Sequence, residues 1–178
     1  MKTADQSEWP RAGLHPAMLA PYFGALQFSA WPDVAAYNNF WTGDTPALNR
    51  AGKPICFIAQ EALHDALSYE QRIYETGMVA TRARNWHDLF NALVWTRFPR
   101  AKAAINARHY DEAQRRASSA NQRTRVRDAL TLLDESGIIV ASDAPELLDL
   151  LRDMNWKELF WREREKVTAH MRFVLFGH

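Results

Sequence analysis

Within the stretch 86–110 stand two histidines, an aspartate and two asparagines, His87, Asp88, Asn91, Asn106 and His109, residue types that move protons and hold ligands. An imidazole titrates near neutrality and serves as general base or metal ligand, and a neighbouring carboxylate orients it. His87 and Asn91 are four apart and Asn106 and His109 three apart, so on helices each pair shares a face. The chemistry implied is that of a hydrolase or lyase. His87 is then the base, Asp88 and Asn91 orient it, and Asn106 and His109 hold a small polar or anionic substrate or a divalent metal. If a metal takes part, its ligands come from His87, Asp88 and His109. Adjacent helical residues point in different directions, so His87 and Asp88 are not expected to face each other. The competing reading is a closed network in which Asn85 and Asp88 cap a helix around a satisfied imidazole, since a buried polar group without partners costs about 1–3 kcal/mol.

The elements that must position these residues are two helices. Asn85 is placed to cap a helix from Trp86, with Asp88 in the capping-box position, and Trp86, Leu89, Phe90, Leu93 and Val94 recur at the three-and-four spacing of a buried face. Phe98-Pro99 stops it. Proline is tolerated in a first turn, so Pro99 opens a second helix with Ala101, Ala104, Ile105 and Tyr110 as its apolar positions. An antiparallel fold about this bend sets Asn91 opposite Asn106 and His87-Asp88 opposite His109-Tyr110.

Around this hairpin the chain is less regular. Residues 1–50 carry Trp9-Pro10, His15-Pro16, Ala20-Pro21, Trp31-Pro32 and Thr45-Pro46, which predict an irregular wrap with helical turns at 33–37 and 46–50, the latter ended by Gly52. Ile55-Cys56-Phe57-Ile58 has strand length. A helix is expected over 69–76, capped by Ser68 and ended by Gly77, followed by an extended 78–80. Residues 113–123 predict the end of the second hairpin helix and a surface loop. Residues 128–133 and 138–142 read as a β-hairpin, with Gly137 at a left-handed turn position. Asp143 with Glu146 around Pro145 opens one helix, and Asn155 with Glu158 another through Val167. The apolar 171–178 closes the chain as a strand or buried segment, which docks in a sheet, meets a partner chain or second copy, or precedes a lost continuation.

Composition bounds the class. At 178 residues, 47% hydrophobic and 24% charged, the chain supports one domain, 1–178, with a real core. A lone Cys56 suits a reducing compartment, and no signal-peptide core or membrane-length apolar run is present, so the cytoplasm is the expected location and no membrane is involved. Residues 97–127 hold nine Lys/Arg against two acids, and 128–165 ten acids against four Lys/Arg. Opposite fields on successive segments most simply attract each other, and a pI near 7.9 gives no support to nucleic acid as a partner. A phosphate or nucleic-acid role for 97–127, with Arg123, Arg125 and Arg127 alternating at strand spacing, stays as an alternative. So does a non-catalytic binding or assembly protein that uses an aromatic surface and the apolar tail. His64-Asp65, His87-Asp88 and Asp128 match a metal phosphohydrolase pattern, but dipeptides recur by chance. There is no Gly-x-Ser-x-Gly turn, phosphate-cradling glycine loop or Cys-x-x-Cys pair, and Cys56 sits in an apolar run.

The run YEQRIYETGMVATRARNWHDLFNALVWTRFPRAKAAIN at 69–106, His109, and RTRVRDALTLLDESGIIVAS at 123–142 together resemble a bacterial family known as domain of unknown function 3025. The resemblance covers most of the chain from residue 9 and supplies no activity. It implies that Glu70, Arg82, Asn85, His87, Asp88, Asn91, Lys102, Asn106, His109, Arg125, Asp128 and Glu135 fall on the family's motif. Of these, Glu70, Arg82, Lys102 and Arg125, joined by Arg127 from the basic run, are the candidates for binding substrate. Family members look longer than this chain, which implies a C-terminal portion absent after His178. The expected fold is α+β, mainly α, built round the helical hairpin with a small antiparallel sheet.

Overall fold

Local sequence signals account for most of the elements. The structure, a computed structural model, describes residues 30–41, 46–117 and 125–178, so the wrap expected over 1–50 falls largely outside the described residues, as do 118–124. The elements are β1 (Cys56–Ala59), α1 (Tyr69–Thr76), β2 (Met78–Thr81), α2 (Trp86–Arg97), α3 (Pro99–Ala117), α4 (Arg125–Ser136), β3 (Ile138–Ser142), α5 (Pro145–Arg152), α6 (Arg164–His170) and β4 (Met171–Leu175). Short 3-10 helices at Val34–Asn39 and Gln60–Ala62 and a π-helical turn at Glu158–Arg162 complete it. The described chain is mainly helical, with β1 and β2 pairing parallel and β3 and β4 antiparallel. It forms two compact units, one running to Gly137 and including Phe176–His178, the other Ile138–Leu175.

In the first unit, β1, α1 and β2 form a short β-α-β crossover. Gly77 ends α1 as expected: its φ of 80° is left-handed, its amide donates to Ile73 O, and an added Cβ would lie 2.1 Å from Pro54 O, so only glycine fits. Ser68 precedes the helix without making a side-chain cap bond. The 3-10 helix at Val34–Asn39 corresponds to the helical turn expected at 33–37. Its Asn38 acts as a one-residue strand, its Nδ2 donating to Phe57 O at 3.0 Å and its Oδ1 accepting from Phe57 N at 2.8 Å. Residues 46–50 are not a helical turn, because Leu48 bridges Pro54 and the chain reverses between them.

Asn49 inside that reversal is 5% exposed. Its Nδ2 donates to Ile73 O and Tyr74 O at 2.6 and 2.9 Å, capping the C-terminal end of α1, and its Oδ1 accepts from Ala51 N and Lys53 N, both at 2.9 Å. Removing a buried amide with four bonds strands carbonyls that water does not reach. Asn49→Ala is expected to cost about 2 kcal/mol in urea unfolding. Asn49→Asp should lose as much, because a carboxylate repels the two helix carbonyls.

The hairpin forms at Pro99 as the proline rule predicts, and Leu89, Leu93 and Val94 of α2 are fully buried. The buried face of α3 departs from expectation. Ala101 and Ala104 are exposed, whereas Lys102, Asn106 and His109 are buried together with Ala103 and Ile105. Apolar periodicity misreads a helix whose inward stripe is polar and finds its partners on other elements. Helix α1 lies against α3, where Tyr74 and Tyr110 stack at 4.1 Å and the Tyr110 hydroxyl donates to Glu75 Oε1 at 3.1 Å.

The strand expected at 128–133 is helix α4 instead, so the β-hairpin over 128–142 does not form. Val126, Leu130 and Leu133 stand four and three apart, a helical spacing that competes with the apparent alternation. Gly137 is not left-handed; its amide donates to Leu133 O at 3.0 Å, and a Cβ there would lie 2.3 Å from the same oxygen. Arg125 and Arg127 therefore sit two apart on a helix and point in different directions, not from one strand face, while Arg123 lies outside the described residues.

In the second unit, β3 pairs with the chain's last strand, Ile138 opposite Leu175 through Ser142 opposite Met171. The apolar tail thus docks in a sheet. Leu147, Leu159, Val167 and Met171 form its core with Val140, Leu151 and Phe173 packed against them. Helix α5 begins at Pro145 as expected, without a side-chain cap from Ala144. The single helix expected through 156–167 is divided into the π turn and α6 at Glu163.

Candidate active site

Asn85 caps α2 as its position predicts, its Oδ1 accepting from Asp88 N at 3.1 Å. The Asp88 carboxylate reaches further back than a capping box would. It accepts from Arg82 N at 2.7 Å, Arg82 Nε at 3.0 Å and Arg82 Nη2 at 2.8 Å. Arg84, left-handed at φ 53°, lets the chain turn sharply enough to bring Arg82 over the helix end. Against expectation, His87 and Asp88 do meet, with Nδ1 3.0 Å from Asp88 Oδ1. In the first turn of a helix Asp88 can bend toward the N-terminal side, where the His87 ring folds back to it. Burial pushes the Asp88 pKa up, but the bonds from Arg82 and His87 outweigh it and hold the carboxyl well below the usual carboxylate range. An ionised carboxylate only accepts, so the contact places the His87 proton on Nδ1 and leaves Nε2 as a base.

The two carboxamides do not meet each other as the counting suggested; they meet successive residues of α1. Asn91 Nδ2 donates to the Tyr69 hydroxyl at 2.7 Å. Asn106 Nδ2 donates to Glu70 O at 2.9 Å and Glu70 Oε2 at 2.7 Å. Burial raises the Glu70 pKa; Asn106, His109 and Lys102 pull it down, and the net direction is up. Burial likewise lifts the Tyr69 hydroxyl beyond its ordinary range. Lys102 donates to Asp134 Oδ1 at 2.6 Å and lies over the Trp95 ring, 5.7 Å from its centre.

A cavity of about 250 Å³ opens on these groups, lined by Tyr69, Glu70, Arg82, His87, Asp88, Asp134, Glu135 and His178 together with Gln60 and Ala80. An inner recess of about 10 Å³ lies between Tyr69, Glu70, Trp95, Lys102, Asn106 and Asp134. Of the residues expected from sequence, His87, Asp88, Glu70 and Arg82 line the main cavity and Lys102 and Asn106 the recess. Asn91 is joined to the cavity through Tyr69. His109 lines neither, although it is buried close enough to Glu70 to favour its ionised form. Arg125 and Arg127 lie exposed in the first turn of α4, outside both.

Sequence reasoning missed Tyr69, Asp134 and His178 at the site. Tyr69 had a signal, as the neighbour of Glu70 at the helix start. His178 had none, since it arrives from the far end of the chain: Phe176 N and Gly177 N donate to Gly137 O, and His178 N donates to Asp134 O at 3.2 Å. Its ring lies 4.5 Å from that of His87, centre to centre. Burial, then Lys102, with His87 adding and Asp134 opposing, lowers its pKa to about 4.

The three candidate metal ligands, His87, Asp88 and His109, do not converge on one point. Among the described residues no three His, Cys, Asp or Glu side chains converge to hold a metal ion. Asp88 is committed to Arg82 and His87, and His109 stands away from both cavities. Asp65 is engaged by Arg72 at 2.7 Å, so the pattern of two His-Asp dipeptides with Asp128 does not assemble.

Among the described residues no helix is long and apolar enough to cross a membrane. No curated protein and no solved structure matches the chain. One family profile does match, over residues 55–178, beginning later than the resemblance read from the sequence. That span is more than half of the chain and contains every residue of the cavity, and the chain belongs to the family described as Protein of unknown function (DUF3025).

Proposed function

We propose that the cavity is an acid–base catalytic centre, a hydrolase or lyase site for a small polar substrate, in a cytoplasmic protein whose single cysteine, Cys56, is free. One observation carries the reading: a His87–Asp88 pair at 3.0 Å and a carboxyl with a raised pKa, Glu70, open on the same cavity. Two carboxyl groups in one cavity whose surroundings push them in opposite directions, Asp88 down and Glu70 up, are a signature of acid–base sites. In hydrolysis, His87 Nε2 takes a proton from water as the water oxygen bonds to the electrophilic carbon. The protonated Glu70 carboxyl gives its proton to the leaving atom as that bond breaks. In a lyase the same base takes a carbon-bound proton and the same acid protonates the departing group. Asn106 positions Glu70, Asn91 positions Tyr69, and Asp88 positions His87.

The test is turnover of a panel of small esters, amides and hydroxy or amino acids. His87→Ala should lower kcat/KM by roughly a hundredfold or more, with little change in melting temperature because the ring is half exposed. Glu70→Gln should lose activity similarly. The folded Glu70 pKa lies above its unfolded value, so this carboxyl favours folding at low pH and weakens it as pH rises through the folded value. Glu70→Gln should therefore melt no lower than the parent at pH 8. A panel without turnover, or losses that follow unfolding, would defeat the proposal.

A second reading has its own observation. Met154, Trp156, Phe160 and Trp161 on the second unit are 68, 51, 46 and 71% exposed. An aromatic surface of this kind suits an assembly role. Light scattering showing a concentration-dependent dimer that Trp161→Ala abolishes would favour it, and a strict monomer would count against it.

A further inference from the structure

We infer that the ligand of this cavity carries a positive charge, an ammonium or guanidinium group seated on Glu135 at the C-terminal end of α4. The inference rests on the same cavity as the acid–base reading and names its substrate class. Four carboxyl groups line the cavity, those of Glu70, Asp88, Asp134 and Glu135. Arg82 neutralises Asp88 at 2.8 Å and Lys102 neutralises Asp134 at 2.6 Å. Glu70 is pushed toward its neutral form by burial. Glu135 alone of the four has no ion-pair or hydrogen-bond partner among the described residues. Arg82 is the single Lys or Arg among the lining residues, and its Nε and Nη2 are already bonded to Asp88. An anionic ligand would therefore meet uncompensated negative charge.

Two independent features point the same way. Asp134 and Glu135 occupy the last turn of α4, which holds no basic residue. The C-terminal end of a helix carries partial negative charge and favours cations, so Glu135, the one of these two acids without a cation against it, adds to a negative potential there. The wall also includes one phenol ring, that of Tyr69. Aromatic faces attract cations when water is excluded. The volume of about 250 Å³ corresponds to roughly eight waters at ~30 Å³ each, the size of a small amine.

The experiment uses three probes of equal length, 1,4-diaminobutane, butane-1,4-diol and succinate, titrated by calorimetry and by the NMR signals of the His87 and His178 rings in the full chain. Diaminobutane should bind and move both imidazoles, and the other two should not. Glu135→Gln, an exposed substitution that leaves folding intact, should weaken diaminobutane roughly tenfold, and Glu135→Lys should abolish it. Equal or better binding of succinate or the diol, no binding of the diamine, or an unchanged affinity in Glu135→Gln overturns the inference. Catalysis is not read here, so the two proposals fail separately. Diamine binding without turnover of any panel member leaves the charge assignment standing and removes the acid–base reading. Turnover of anionic substrates without diamine binding does the reverse.

Discussion

Asp88→Asn is expected to reduce turnover roughly a thousandfold and to lower stability by about 2–3 kcal/mol. The Asp88 side chain is 10% exposed and accepts three bonds from Arg82 besides the His87 contact. An amide retains one accepting oxygen, and with that oxygen kept where Arg82 N and Nε donate, the NH2 group faces Arg82 Nη2 and His87 Nδ1, so both of those bonds are lost. Arg82 is half exposed, which screens the ion pair and keeps the stability loss at the lower end of what breaking a buried pair would cost. The functional loss has a separate cause. Without a carboxylate at Nδ1, His87 is free to carry its proton on Nε2, the nitrogen that must act as base. Urea unfolding at pH 7 and nitrogen-15 spectra of the His87 ring measure the two effects independently. A tautomer unchanged in Asp88→Asn would remove Asp88 from the positioning role. Because the Asp88 pKa is depressed on folding, its contribution is present above the ordinary carboxylate range and lost only at more acidic pH.

The second large effect is acid sensitivity through His178. Its folded pKa of about 4 lies below the ordinary value of 6.5, so as pH falls the unfolded chain takes up the proton first. The stability from a neutral, buried His178 is full above pH 6.5 and drains away between 6.5 and about 4. At about 1.4 kcal/mol per pH unit, the whole window is worth about 3 kcal/mol. His178→Asn should flatten the stability profile across that window, and Asp88 acts below it, so the two are separable. Thermal melts of both proteins from pH 7.5 to 4 decide the matter: parallel curves would mean that His178 is protonated without penalty in the fold.

The hairpin shows how far local signals reach. Asn85, Pro99 and Gly77 act through their own backbone and their immediate neighbours, so the starts and stops they predict hold in the structure. The meeting of His87 with Asp88 was hidden by a rule that describes helix interiors and not first turns. The 128–133 segment carried both a two-residue alternation and the four-three spacing of Val126, Leu130 and Leu133, and periodicity over so short a window cannot choose between them. With α4 helical, Asp134 and Glu135 reach the cavity through its last turn.

By itself the sequence determined that the chain folds as a mainly helical protein and where its central helices begin, and it singled out His87, Asp88, Glu70, Arg82 and Asn106 as candidates, which the structure places around one cavity and its recess. Those outcomes depend on capping, proline geometry and residue type, which act over a few residues. Only the tertiary structure decided that the inward stripe of α3 is polar, that Asn91 and Asn106 serve Tyr69 and Glu70 and not each other, and that His178 closes the site beside His87. A buried polar side chain goes where its partner is, and those partners stand on other elements, far away along the chain.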